Sequence, residues 1–237
     1  NKLQKDLGVA FGESAKILAT SKSIAAVNKA NGMTQDETLA IMKNIASEFG
    51  SFSKATTATT LQASNLVANF GLATDSVGTL ARQMQAVGEG SLESALNSIE
   101  LQANMARAAD VPVAEVMNDV AKNTDFFAKF AKDGGANITA AAIAAKKLGL
   151  EMSNVVAISE SLLNFEDSIQ KQMEAEVLLG KELNLEKARE MVFNNDIAGA
   201  MGEISRLVSP EEFAQMDAIR RRALAESVGL QVDQMAK

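Results

Sequence analysis

An all-α fold of stacked helical hairpins, repeating about every 39 residues, is what this sequence predicts, and three observations carry the prediction. The chain has 237 residues, enough for a sizeable core, and 47% of them are apolar. Much of that content is Ala, and the only aromatic residues are ten Phe. Such an interior suits closely packed helices better than a thick sheet sandwich. Only two Pro interrupt the chain, and alternating runs of Val, Ile, Thr and Tyr are missing. Finally, a Gly followed by a large apolar residue recurs at a fixed interval, each time just ahead of a helix-forming run.

The elements follow in chain order from that recurrence. Gly32-Met33 opens "GMTQDETLAIMKNIASEFG", Gly71-Leu72 opens "GLATDSVGTLARQMQAVG", Asp110-Val111 opens "DVPVAEVMNDVAKNTDFF" and Gly149-Leu150 opens "GLEMSNVVAISESLLNF". The intervals 32 to 71, 71 to 110 and 110 to 149 are each 39 residues. Gly229-Leu230 lies 80 residues beyond Gly149, close to two more periods, and Asn184-Leu185 is the candidate for the unit between. Gly at a helix C-terminus enters the left-handed region without a Cβ penalty, and the apolar residue after it folds back on the preceding helix.

Start signals come next. Thr34 with Glu37 fits a capping box, and Asp36, Asp75 and Asp233 place negative charge near helix N-termini. Ser209-Pro210-Glu211-Glu212 combines an N-cap, a Pro in the first turn and a box Glu. Leu39, Met42, Ile45 and Phe49 form one apolar stripe. Leu162, Phe165, Ile169, Met173 and Val177 form another, on a segment from about Ser153 to Leu179 expected as one helix roughly 40 Å long. Both stripes, with their Met residues, are expected to be packing surface and not a cofactor box. The segments before each Gly also correspond, as in "LQASNLVANFGL" at 61–72 and "LQANMARAADV" at 101–111. Each period is therefore a hairpin, and neighbouring hairpins should stack. "GEGS" at 88–91 and "KDGGANIT" at 132–139 are expected as the loops between them. The organisation expected is hairpin repeats over 1–135, then over 136–237 a helical segment with a long central helix and a terminal hairpin, weakly divided near Asp133–Asn137.

Composition also limits the chemistry. The chain contains no Cys, so disulfides, a thiolate nucleophile and zinc-thiolate sites are excluded. It contains no His, so imidazole proton shuttles and ligands are excluded as well. A net charge of −7 argues against binding a phosphate backbone, and no specific nucleic-acid partner is expected. The basic cluster Arg220, Arg221 and Arg222 sits among Asp217 and Glu226, as a solvated helix face would. "GxxxxGK[ST]" and "GxGxxG" are absent. Glu166, Asp167, Glu174, Glu176 and Glu182 could supply a general acid, but Lys171, Lys181, Lys187 and Arg189 are interleaved, as on a charged solvent face. No "DxDxDG" calcium loop is present, and no catalytic, cofactor-binding or metal residue is assigned. No apolar run approaches the ~18 residues that cross a bilayer; "TAAAIAA" at 139–145 is the nearest. The opening "NKLQKD", without an initiator Met, leads us to expect a segment of a larger protein.

One longer likeness adds to this. "AAKKLGLEMSNVVAISESLLNFEDSIQKQMEAEVLLGKELNLEKAREMVFNNDIAGAMGEI" at 144–204 resembles a stretch of the tail tape measure proteins of tailed bacteriophages. "EEFAQMDAIRRRALAESVGLQVDQMAK" at 211–237 is similar to the part that follows it there, and "ANGMTQDETLAIMKNIASEFG" at 30–50 resembles the Gly-turn-helix units of tape measure cores. The resemblance implies a virion component in the tail interior, present in the host cytoplasm during assembly. It further implies several self-associated copies, partners among tail-tube and baseplate or tail-tip proteins, a role in setting tail length, and ejection with the genome. A ruler is extended, whereas 39-residue hairpins are not, so this segment is expected to be a folded module near the tail tip. Two other classes stand beside it. One is an α-solenoid interaction module unrelated to tail length. The other is a peptidoglycan-degrading domain, for which Glu160-Ser161 begins a lytic-transglycosylase-like motif, but the Gly-Leu-Met-Gln segment that family needs is absent.

Overall fold

Fifteen α-helices, two short 3-10 turns and no strand make up the described residues (11–27, 29, 32–88 and 90–235) of this computed structural model. The first hairpin pairs α1 (Phe11–Val27) with α2 (Gln35–Phe49), and the second pairs α3 (Thr57–Phe70) with α4 (Ser76–Ala86). The third pairs α5 (Leu92–Ala108) with α6 (Val113–Lys122). At the three bends Gly32, Gly71 and Asp110 adopt φ of 77°, 69° and 58°, and Gly149 continues the series at 73°. Asp110 holds the left-handed conformation with a side chain, at a cost of about 1 kcal/mol that its three Gly counterparts avoid. The expected opening "NKLQKD", and Glu89 within the 88–91 loop, lie outside the described residues.

The hairpins stack in two layers. Helices α1, α3 and α5 neighbour one another in the first layer, and α2, α4 and α6 in the second. Burial follows the period. Ser21, Thr60, Ile99 and Ile138 are all buried, as are Ile24, Ala63, Gln102 and Ala141, and Thr38, Val77, Val116 and Val155. Within the second layer an amide stitches each step. Asp75, the N-cap of α4, makes no side-chain cap bond; instead the Gly78 N–H donates to Asn44 Oδ1 of α2 at 2.6 Å. A Cβ at position 78 would overlap Asn44, so the close approach needs Gly there. Residue 83 lies 39 beyond 44, and there Gln83 Nε2 donates to Ala121 O at the end of α6 and to Thr124 Oγ1 just after it, both at 3.1 Å. These bonds satisfy helix-end groups that have no partner inside their own helix.

Two compact units result. One runs to Ala108 and includes Pro112–Thr124; the other takes Ala109–Val111 and the chain from Asp125 onward. Helix α7 (Thr124–Phe130) enters the second unit from its second residue, and a 3-10 turn at Asp133–Gly135 leads into α8 (Ala136–Lys147). "ANIT" at 136–139 therefore belongs to a helix and not to the expected loop, because Asn137 turns inward: its Nδ2 donates to Phe130 O at 2.8 Å and Asn195 O at 3.2 Å. Helix α9 (Met152–Leu163) pairs with α8, and α11 (Glu186–Phe193) with α12 (Ile197–Ile204); α8 packs on α12 and α9 on α11.

The long central helix does not form. It breaks at Asn164 (φ −80°, ψ 79°) into α9 and α10 (Phe165–Leu179). The Asn164 side chain donates to Asp167 Oδ2 at 3.0 Å, and the break lets α10 pack against α14 (Ala218–Ser227). The bend expected at Asn184-Leu185 is displaced as well. The left-handed residues are Gly180, which ends α10, and Asn195 (φ 60°) between α11 and α12, while Leu185 precedes α11 in helical conformation. Helices α13 (Pro210–Gln215) and α15 (Val232–Met235) complete a small core with α10 and α14, centred on Ala175, Leu183, Phe213 and Leu224. Gly229, between α14 and α15, sits so close to α9 that a Cβ would overlap that of Ser161 and lie 3.0 Å from Ala157 O.

The capping boxes at Thr34/Glu37 and Ser209/Glu212 are both formed. Among the described residues no helix is long and apolar enough to cross a membrane.

Candidate functional site

The second apolar stripe is where sequence and structure part most. Only Leu162 is buried; Phe165, Ile169, Met173 and Val177 face outward, Met173 at 61% and Val177 at 83% exposure. Small residues explain the inversion. Ser168 and Ala175, seven residues apart on α10, are fully buried: Ala175 lies in the small core with Leu224 of α14, and Ser168 accepts from Arg189 of α11. With its small side against the protein, the large apolar side of α10 is turned to solvent.

Helix α11 converts this face into a groove. Phe165, Ile169 and Met173 from α10 and Phe193 from α11, itself 67% exposed, line a concavity of about 830 Å³. Buried Arg189 holds the two helices together. It donates from Nη1 to Ser168 Oγ at 3.0 Å and from Nη2 to Gln172 Oε1 at 2.7 Å. Burial pushes the Arg189 pKa down, and the nearby charges of Glu186 and Glu176 oppose that shift. Gln172 passes the connection on, since its Nε2 donates to Glu176 Oε1, which also accepts the Leu183 N–H at 2.9 Å. Apolar side chains thus share the wall of the groove with this polar bridge of Arg189, Gln172 and Glu176.

The rim is acidic. Glu182, Glu186 and Glu190 line one edge, and Glu166 and Glu174 flank the stripe on the other. None of these five forms an ion pair among the described residues. The cations expected to interleave with them point elsewhere. Lys181 binds Glu212 and Leu207 O, and Lys187 binds Glu203, whose carboxyl it holds below the usual range.

The other residues weighed in the sequence fall as follows. Glu160 pairs with Lys129 at 3.4 Å on the surface, and Ser161 lies beneath Gly229, so the two do not form a cleft. Asp167 accepts from Asn164, and Glu176 braces the loop after α10. Arg221 is half-buried over the Phe213 ring and donates to Phe213 O and Ala214 O at the end of α13, while Arg220 donates to Leu178 O. Arg222 pairs with Glu226, which raises the guanidinium pKa. The basic cluster is therefore largely a joint between helices. Among the described residues no group of three or more acidic side chains is placed to hold a metal ion. Phe193, Glu186 and Glu190 were not singled out in the sequence; the signal was the i, i+4 pair of Glu on α11 beside an apolar helix end. Compared with family models, with curated proteins and with solved structures, the chain matches none.

Proposed function

We propose that this chain is a non-enzymatic contact segment of a phage-tail tape measure protein, a folded module that docks on a tail-tip or baseplate protein, and not the measuring rod. The observation that carries this reading is the groove between α10 and α11. It lies inside the stretch 144–204 that resembles tape measure proteins, and it turns large apolar side chains to solvent where isolated surface positions would be polar. The hydrogen bonds of buried Arg189 to Ser168 and Gln172 fix α11 on α10 and so give the groove a defined shape, as docking requires. Self-association in several copies, as in a tail, would present the groove more than once and multiply weak contacts.

Removing one hairpin period, residues 72–110, in the parent phage tests the reading. Extended as helix, those residues would add roughly 58 Å to a ruler. Completed tails of unchanged length are expected. Tails shortened by about that amount would overturn the reading and make the segment part of the ruler.

The two-layer stack of α1 to α6 favours a second reading, an α-solenoid interaction module unrelated to tails. That reading predicts normal tail assembly when the groove is altered by Ile169→Gln with Met173→Gln, whereas the first predicts defective assembly.

A further inference from the structure

We infer that the partner element seated in the α10–α11 groove is a basic amphipathic helix of another protein, an inference that rests on the docking reading above. Length comes first. The stripe from Phe165 to Val177 covers twelve residue steps of α10, about 18 Å, which matches three to four turns of a partner helix. Its apolar residues recur every four positions, so a helix with apolar side chains at i, i+4, i+7 and i+11 can lay its face into the groove beside Phe193.

Charge selects among such helices. Both edges of the apolar floor carry carboxylates, Glu182, Glu186 and Glu190 on one side and Glu166 and Glu174 on the other, all exposed and none in an ion pair among the described residues. Arg189 offsets only part of this charge: it lies near Glu186 and Glu176, but its guanidinium is buried, donates to Ser168 and Gln172 and forms no ion pair with the five rim carboxylates. Lys or Arg flanking the partner's apolar stripe would complete these pairs while their stems cover the rim. A second copy of α10 fits poorly: pairing the face with itself would set Glu against Glu along both edges. Lys171 lies on the α14-facing side of α10, where Glu174 reaches as well, and it does not line the groove beside Glu166, Glu182, Glu186 and Glu190.

The test uses the whole chain and two synthetic helical peptides of about eighteen residues with the same Leu/Phe stripe, one flanked by Lys and one by Glu. Binding is followed by fluorescence anisotropy of labelled peptide. The Lys peptide should bind at least about tenfold more tightly than its Glu twin, and added salt should weaken it severalfold. Glu186→Lys with Glu190→Lys should remove most of the preference, and Met173→Gln should weaken both peptides. Glu93→Lys with Glu100→Lys, on α5, should change neither and so excludes a general pull of an acidic protein on a basic peptide. Equal binding of both peptides would overturn the charge selection and leave the docking reading in place. Binding of neither overturns this inference, and the tail phenotype of Ile169→Gln with Met173→Gln then decides the docking reading separately. Concentration-dependent dimerisation abolished by Met173→Gln would also overturn it, by showing that a second copy fills the groove.

Discussion

Helices α2 and α10 each carry an apolar stripe at helical spacing and meet opposite fates. On α2, Met42 and Ile45 are fully buried, Leu39 and Phe49 are half-buried, and α1, α3 and α4 surround the helix. On α10, Phe165, Ile169, Met173 and Val177 are exposed, while the small residues Ser168 and Ala175 take the inner side. A spacing of three and four identifies an apolar face on a helix; it does not say whether anything covers that face. Coverage depends on which neighbours the rest of the chain supplies. The stack supplies them to α2, and the break at Asn164 directs α10 toward α14 by its other side.

The comparison can be sharpened by energetics. Ile45→Ala should lose about 2–5 kcal/mol, because it removes fully buried methyl groups and leaves a void between packed helices, and the shift of the urea midpoint measures it. Next in size is Gly229→Ala, which meets both a left-handed backbone and the overlap with Ser161, for a loss of about 2–3 kcal/mol. Gly32→Ala, with nothing within 4 Å of the new Cβ, should lose only about 1 kcal/mol in the same assay.

Smaller effects probe the local signals. Thr34→Ala removes the cap of α2 and should lose about 1 kcal/mol at neutral pH. The Thr34 N–H and hydroxyl both donate to Glu37, at 2.8 and 2.7 Å, and hold its carboxyl below the usual carboxylate range. A lowered folded-state pKa means that this contribution is complete above the ordinary range and disappears as pH falls through the lowered value. The difference between Thr34→Ala and the unaltered chain should therefore shrink between about pH 5 and about pH 3. Asp110→Gly acts in the other direction. It gives the third bend the residue its counterparts have, and thermal unfolding should show a gain of roughly 0.5–1 kcal/mol.

What was legible in the sequence is what local chemistry decides. Three equal intervals located the bends at Gly32, Gly71, Asp110 and Gly149, because a helix end that reverses the chain needs a left-handed residue. Thr34/Glu37 and Ser209/Glu212 announced their capping boxes for the same reason. The break at Asn164 was not legible, since one Asn costs a helix little and only the packing of α10 on α14 repays the bend. Asn184 was chosen as a bend by its spacing, but Gly180 and Asn195 take the left-handed conformation instead. The amide stitches at Asn44 and Gln83 were hidden too, because a polar residue on a helix gives no sign that a neighbouring repeat supplies the group it bonds. For the groove, the apolar stripe was visible and its exposure was not. The carboxylates at Glu166 and Glu174 beside it, where α2 has the buried Thr38 and Ala46, were the available clue.

The most direct measurement is the urea unfolding of the double variant Ile169→Gln with Met173→Gln. Gln keeps helix propensity close to that of the residues replaced, so the readout reports burial. If the stripe of α10 is a contact surface and not part of the core, the midpoint and slope should match those of the unaltered chain to within about 0.5 kcal/mol. A loss of 2 kcal/mol or more, comparable to the loss in Ile45→Ala, would contradict this and would mean that the face is covered within the chain itself.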